Sequence, residues 1–161
     1  MKVTRKQNNS HDCIICGMDN DLGLKAQFYE MEDNTVIAKF RFRPEHQSYP
    51  GRTHGGIISA LLDELIGRAI WITQPDCWGV TMTLNVKFRK PVPYDVELSG
   101  IGRIDSETSR TFSGSGEIKD SYGTILAEAT AVYMKLPIEK IAGDAPEVDV
   151  DVFVEDNITE I

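Results

Sequence analysis

The stretch Gly51-Arg52-Thr53-His54-Gly55-Gly56-Ile57-Ile58-Ser59-Ala60-Leu61-Leu62-Asp63-Glu64-Leu65-Ile66-Gly67-Arg68-Ala69-Ile70 decides the fold. From His54 to about Thr73 the pattern is helical, and Ile57, Ile58, Leu61, Leu62, Leu65, Ile66, Ala69 and Ile70 leave few polar positions. A helix that is apolar most of the way round cannot lie on a surface and has to be enclosed. Pro75 and Gly79 mark its end and the loop that follows.

The residues on either side supply the enclosure. Leu24 to Met31 and Thr35 to Phe42 are extended runs joined at Glu32-Asp33-Asn34, which is suitable chemistry for a hairpin turn. Arg43 to Thr53 is a loop broken by Pro44, Pro50 and Gly51. After the helix, Met82, Leu84, Val86 and Phe88 alternate with Thr81, Thr83, Asn85, Lys87 and Arg89, the period of a strand with one buried face. Three further strands are expected at Asp95 to Ile104, Arg110 to Lys119 and Thr124 to Leu136, with breaks at Asp105-Ser106-Glu107 and Asp120-Ser121-Tyr122-Gly123. The order strand, strand, buried helix, four strands predicts an α+β domain, a curved antiparallel sheet wrapped around one long helix. Residues 1–20 read as an irregular lead-in and 21–137 as the folded domain. Residues 138–161 read as an acidic tail without fixed structure, in which Val148, Val150, Val152 and Val154 alternate with acids.

Composition narrows the function. A chain of 161 residues, 41% hydrophobic and 26% charged, fits one globular domain. The net charge of −8 argues against bulk nucleic-acid binding, which needs a clustered basic footprint. No segment approaches the run of about 20 apolar residues that spans a bilayer. Met1 to Asp12 is polar without an apolar core, so no membrane partner is expected and the cytoplasm is the expected compartment. Three cysteines do not make a disulfide framework.

Chemistry concentrates on the helix. Gly55-Gly56 stands where backbone N–H groups lack intrahelical partners, and the helix dipole there favours an oxygen gaining negative charge. Asp63 sits in the middle of the apolar run. Its neighbour Glu64 has Arg68 four residues on as a partner, whereas the positions four before and four after Asp63 are Ser59 and Gly67. Ser59, Asp63 and Gly67 form a narrow small or polar stripe, and a carboxylate there lines a channel or bonds to backbone or a subunit seam. Asp63 follows His54 by nine residues, about 13 Å of helical rise. The two ends of the motif therefore do not meet on one helix face, and a symmetric dimer that supplies the missing half is expected.

The motif Gly51 to Glu64, with Gly79-Val80-Thr81 and Phe88-Arg89-Lys90-Pro91-Val92 after it, resembles the hotdog-fold thioesterases of the phenylacetic-acid-degradation type, over roughly Cys13 to Leu136. The resemblance implies hydrolysis of an acyl-CoA thioester to free acid and CoA. It implies Asp63 as general base or nucleophile, and the Gly55 N–H as the group that polarises the carbonyl from the helix end. Thr81, eighteen residues after Asp63, matches a Ser or Thr that positions the water, and His54 matches the motif histidine that orients loop or carbonyl. Asp63 and Gly55 would come from opposite subunits of a homodimer or dimer of dimers. Several relatives carry Asn six residues before the histidine; this chain has Ser48, flanked by Gln47. Gly56 and Ser59 are expected beside the substrate, and Arg89 and Lys90 at the phosphates of CoA or at a solvated strand end.

His11, Cys13 and Cys16 make an H-x-C-x-x-C cluster, half of a zinc site and without a second pair, so a packing role is expected and no metal or cofactor. Two rival functions remain. A hydratase or dehydratase on acyl thioesters would pair an Asp with a His ahead of the helix, and between His46 and His54 there is no Asp. A non-catalytic acyl-CoA binding or regulatory protein would be expected to lose the acid at Asp63 or to gain a DNA-binding domain, and neither is read here.

Overall fold

The computed structural model describes residues 1–143 and 151–161. Seven strands, β1 (Val3–Lys6), β2 (Gln27–Met31), β3 (Val36–Phe40), β4 (Trp78–Phe88), β5 (Leu98–Glu107), β6 (Thr111–Lys119) and β7 (Ile125–Leu136), form one sheet in the order β1-β2-β3-β5-β6-β7-β4. Every neighbouring pair is antiparallel. Helix α1 (Gly55–Arg68) packs against β3, β4, β5, β6 and β7, and a short helix α2 (Ile138–Ala142) follows the last strand. This is the architecture expected from the sequence, a curved antiparallel sheet around one buried helix.

The apolar positions of α1 explain its place. Leu61, Leu62, Leu65 and Ile66 are fully buried, in one core with Phe28, Phe42, Phe112 and Tyr133. The sheet admits them closely because its central strands carry glycine where they cross the helix. A Cβ on Gly102 would lie 2.6 Å from the Leu65 carbonyl oxygen. On Gly114 it would lie 2.5 Å from the Arg103 carbonyl oxygen and 2.6 Å from Ile66 Cγ2. The last turn of the expected helix tightens into a 3-10 turn over Ala69–Ile72.

The β2–β3 reversal uses the expected Asp33-Asn34 pair, with Asn34 at φ 62°. The β5–β6 reversal does not fall where the sequence suggested. Asp105, Ser106 and Glu107 belong to β5, which carries a bulge between Ile104 and Ser106. The chain turns one step later, where the Thr108 hydroxyl accepts the N–H groups of Arg110 (3.2 Å) and Thr111 (3.0 Å), a local bond that competes with the ladder.

The two termini depart most from expectation. The lead-in contains β1, paired with β2. Asn9 is fully buried, and its side-chain amide donates to the carbonyls of Cys16 (2.7 Å) and Ala26 (2.9 Å). Within the tail, Val148 and Val150 lie outside the described residues, but residues 151–161 run along β1. Val3 N–H donates to the Thr159 carbonyl (2.8 Å), Asn9 and Val152 form a bridge, and Asp156 accepts from Lys6 (2.5 Å) and Tyr29 (2.7 Å). Sequence alone could not pair an acidic segment with a strand some 150 positions away. No helix among the described residues is long and apolar enough to cross a membrane.

Overpacking a tight helix–sheet contact costs about 1–3 kcal/mol. Gly114→Val should therefore lower the urea midpoint at unchanged m-value, by the shift that a loss of at least that much stability produces. An unaltered midpoint would show that the helix does not rest on this strand.

Candidate active site

Asp63 lies midway along α1 and faces the end of the sheet. Its Oδ1 accepts from the Thr81 hydroxyl (2.8 Å) and from the Tyr133 hydroxyl (3.1 Å), while Tyr133 also lies 2.8 Å from the Asp63 carbonyl oxygen. Oδ2 has no hydrogen-bond donor among the described residues. Thr81 and Tyr133 are directly opposite each other on β4 and β7. The register slips between Thr81 and Thr83, so Met82 is an extra residue. Such bulges re-aim side chains beside sites. Here the bulge turns Thr81 toward the helix, although the simple alternation of β4 set it on the opposite face from Leu84 and Val86. Met82 is left 54% exposed.

Burial pushes the Asp63 carboxyl above its ordinary value and the charge of Glu64 adds to the rise, while the hydrogen bonds from Thr81 and Tyr133 act the other way. Burial, then the adjoining Asp63 charge, raises the Tyr133 phenol, which therefore stays a donor. Tyr133 is held by stacking on Phe112, with ring centroids 4.7 Å apart. Sequence reasoning missed Tyr133. Its strand pattern says only that it alternates, and nothing local relates it to a carboxylate 70 positions earlier.

A cavity of about 400 Å³ opens onto Asp63, with Gly67, Thr81 and Tyr133 in its wall beside Trp78, Cys13 and Cys16. Arg68 closes one side. It is 3% exposed, pairs with Glu64 (2.7 Å) as expected, donates to the Asn8 carbonyl (3.0 Å) and lies over the rings of Phe28 and Trp71. Of the expected stripe, Asp63 and Gly67 reach this cavity. Ser59 does not; its hydroxyl turns back to the Gly55 carbonyl four residues earlier (2.7 Å).

The helix start belongs to a different cavity, of about 470 Å³, lined by Gly55, Ser48, Arg52, Phe88, Arg89 and Lys90 among others. His54 is the N-cap, and its Nδ1 accepts the Gly56 N–H (2.9 Å). That bond removes Gly56 as a donor to a ligand. The Gly55 N–H donates to no group among the described residues. Gln47 is not in the wall of this cavity, and its Oε1 accepts the Tyr94 hydroxyl (2.9 Å). Arg89 pairs with Glu128 (2.5 Å) at the surface. Within one chain the structure thus brings Thr81 to Asp63 and keeps Gly55 with Ser48, Arg89 and Lys90, in two cavities at different heights on α1.

In the cysteine corner, Cys13, Cys16 and Glu64 offer atoms within 4.8 Å of one another. His11 is turned away, toward Asp19 (2.6 Å) and Asp151 (3.3 Å). Glu64 is already engaged by Arg68.

Residues 50–127 match the family model described as "Thioesterase superfamily". Acyl-coenzyme A thioesterase THEM4 of Xenopus laevis is 29% identical over 69% of this chain and 50% of its own length. The chain thus spans about half the length of the curated relatives it matches. A solved thioesterase superfamily protein superposes with a TM-score of 0.71 and 25% identity, over 78% of this chain and 60% of that one. A Bacillus halodurans protein solved with CoA gives 0.63 at 24% identity, over 70% and 75%. The fold is the hotdog fold of the thioesterases.

The raised Asp63 pKa has a consequence for stability. The folded state prefers the protonated acid, so the stabilisation from holding that proton is present at low pH and lost as pH rises through the folded-state value. At neutral pH the Asp63 charge opposes folding. Asp63→Asn keeps an acceptor for Thr81 and Tyr133 and removes the charge. Its urea midpoint is expected to exceed that of the parent protein at pH 7, and the difference should shrink toward about pH 3, below the ordinary carboxylate range. A lower midpoint at pH 7 would contradict the burial-driven shift.

Proposed function

We propose that this chain is an acyl-CoA thioesterase of the phenylacetic-acid-degradation type. It acts as a homodimer or dimer of dimers, with each site shared between subunits. The observation that carries the reading is the separation of Asp63 from Gly55 into two cavities of one chain. A half-buried carboxylate with a raised pKa and a helix-end N–H without a partner are complementary halves of a thioester-cleaving site. Strand β4 supports the association. It is eleven residues long and among the described residues pairs only with β7, and Val80, Met82 and Phe88 are exposed along it. An edge of that length is a template for a second copy.

In the shared site Asp63 takes a proton from water as the water oxygen attacks the thioester carbonyl carbon. The Gly55 N–H of the other subunit, at the positive end of α1, stabilises the oxyanion. Collapse expels the CoA sulfur, which receives the proton Asp63 holds, and leaves the free acid. The Thr81 hydroxyl donates its hydrogen bond to Asp63 Oδ1 and keeps lone pairs to accept one from the attacking water. If Asp63 is instead the nucleophile, an acyl anhydride forms on it and water cleaves that. In a single turnover in ¹⁸O-water, label in Asp63 identifies the second route with water attacking the aspartyl carbonyl of the anhydride, because the first route places label only in the product acid. Ser48, Arg52, Arg89 and Lys90 line the cavity at the helix end, and the cations among them suit the CoA phosphates.

Removing a general base lowers turnover by about 10²–10⁴-fold. Asp63→Asn should lose activity on this scale across a panel of short, medium, long and aromatic acyl-CoAs, while still binding CoA. Gly55→Pro removes the N–H at a helix position that tolerates proline, and should be equally inactive. Mixing the two inactive proteins after unfolding and refolding should restore about a quarter of wild-type activity. Half of the random dimers are mixed, and one of their two sites is whole. No recovery from well-folded mixed dimers would rule out the shared site. Full activity in Asp63→Asn would overturn the role given to Asp63, and no hydrolysis of any of these acyl-CoAs by the parent protein would favour a binding protein.

A further inference from the structure

Cys13 and Cys16 flank a tight turn closed by the Gly17 N–H on the Cys13 carbonyl (2.8 Å). Gly17 is required there, since a Cβ would lie 2.4 Å from that carbonyl oxygen. Residues three apart in such a turn have Cα atoms about 5 Å apart, within disulfide range. Their sulfurs lie within 4.8 Å of each other, and both cysteines are free thiols. Cys13 is partly exposed, Cys16 is buried beside the Ser10 hydroxyl (3.3 Å), and both line the Asp63 cavity.

The Cys13 sulfur is the better nucleophile. It accepts the N–H groups of Ile15 (3.3 Å) and Cys16 (3.4 Å). Charged neighbours on α1 are Glu64, which opposes ionisation of both thiols, and the buried Arg68 guanidinium, which favours it at Cys16. The Cys16 thiol and these backbone donors outweigh burial and Glu64 and hold Cys13 down to about 6, while Cys16 is pushed up. A partly exposed low-pKa thiol next to a buried resolving one is the arrangement of an exchange-active pair. A divalent cation on Cys13, Cys16 and Glu64 would have to displace Arg68 from Glu64.

We propose that Cys13 and Cys16 form a thiol–disulfide exchange site on the wall of the Asp63 cavity, oxidised by a low-molecular-weight disulfide. The Cys13 thiolate attacks one sulfur of R–S–S–R, forms a mixed disulfide and expels RS⁻. That thiolate takes the Cys16 proton, and the Cys16 sulfur attacks Cys13 and expels the second RS⁻, which solvent protonates. Two cysteine sulfurs are oxidised, and one R–S–S–R is reduced to two thiols. The site does not depend on the thioesterase reading, and its test measures no hydrolysis.

The full chain is incubated with oxidised glutathione, alkylated and mapped by mass spectrometry, with Cys77 as internal reference. Cys13 and Cys16 should become one disulfide, reversible with dithiothreitol, while Cys77 stays alkylatable. In the reduced protein Cys13 should alkylate at least about tenfold faster than Cys77 at pH 7. Its rate should hold down to about pH 6. Cys16→Ser should accumulate glutathione on Cys13, and Cys13→Ser none on Cys16. The proposal fails if Cys13 reacts no faster than Cys77 and both cysteines stay thiols in excess oxidised glutathione. It also fails if stoichiometric zinc shields the pair until a chelator removes it.

Discussion

Everything in this molecule hangs on how closely α1 approaches the sheet. The helix presents large side chains on nearly all sides, and the strands across from it present glycine at Gly102 and Gly114. Backbone and side chain then meet at separations that any Cβ would forbid. The close fit buries Leu65 and Ile66 completely and sets the depth of every residue on the same helix, Asp63 included. A helix held a few ångströms higher would leave Asp63 out of reach of Thr81 and Tyr133.

That depth carries an electrostatic penalty that the site uses. Burying a carboxylate disfavours its charged form, and two hydroxyls from paired positions on β4 and β7 recover only part of the loss. An acid tuned this way accepts a proton more readily than an exposed one, which suits it to taking a proton from water. The same carboxylate weakens the fold at neutral pH. Arg68 shows the opposite balance. It is buried deeper, but Glu64, the Asn8 carbonyl and two aromatic faces surround it, and it ties the N-terminal segment to the helix.

The sheet has two ends, and they are treated differently. At β1 the C-terminal residues 151–161 run alongside and take up backbone and side-chain donors from Val3, Lys6 and Asn9. At β4 no strand among the described residues pairs with the outer edge. The proposed second copy would cover the exposed apolar residues along it, and the proposed shared site would bring a helix end and Asp63 to a single carbonyl.

The order of the elements from β2 to β7, the burial of α1 and the prominence of Asp63 were legible in the sequence alone. Each follows from local periodicity or from a charge placed where none belongs. It also located Gly55 at the helix start and Thr81 as a residue of interest. It did not reveal that His54 would spend its imidazole on Gly56, that Ser59 would bond back to Gly55, or that Tyr133 would reach Asp63. Nor did it reveal that the lead-in and the acidic tail would lie against each other. Those outcomes rest on contacts between distant positions, on a one-residue bulge at Met82 that alternation hides, and on how far apart two cavities lie once the helix is packed. Tertiary structure decided them, because hydrogen-bond partners are chosen by three-dimensional reach and not by spacing along the chain.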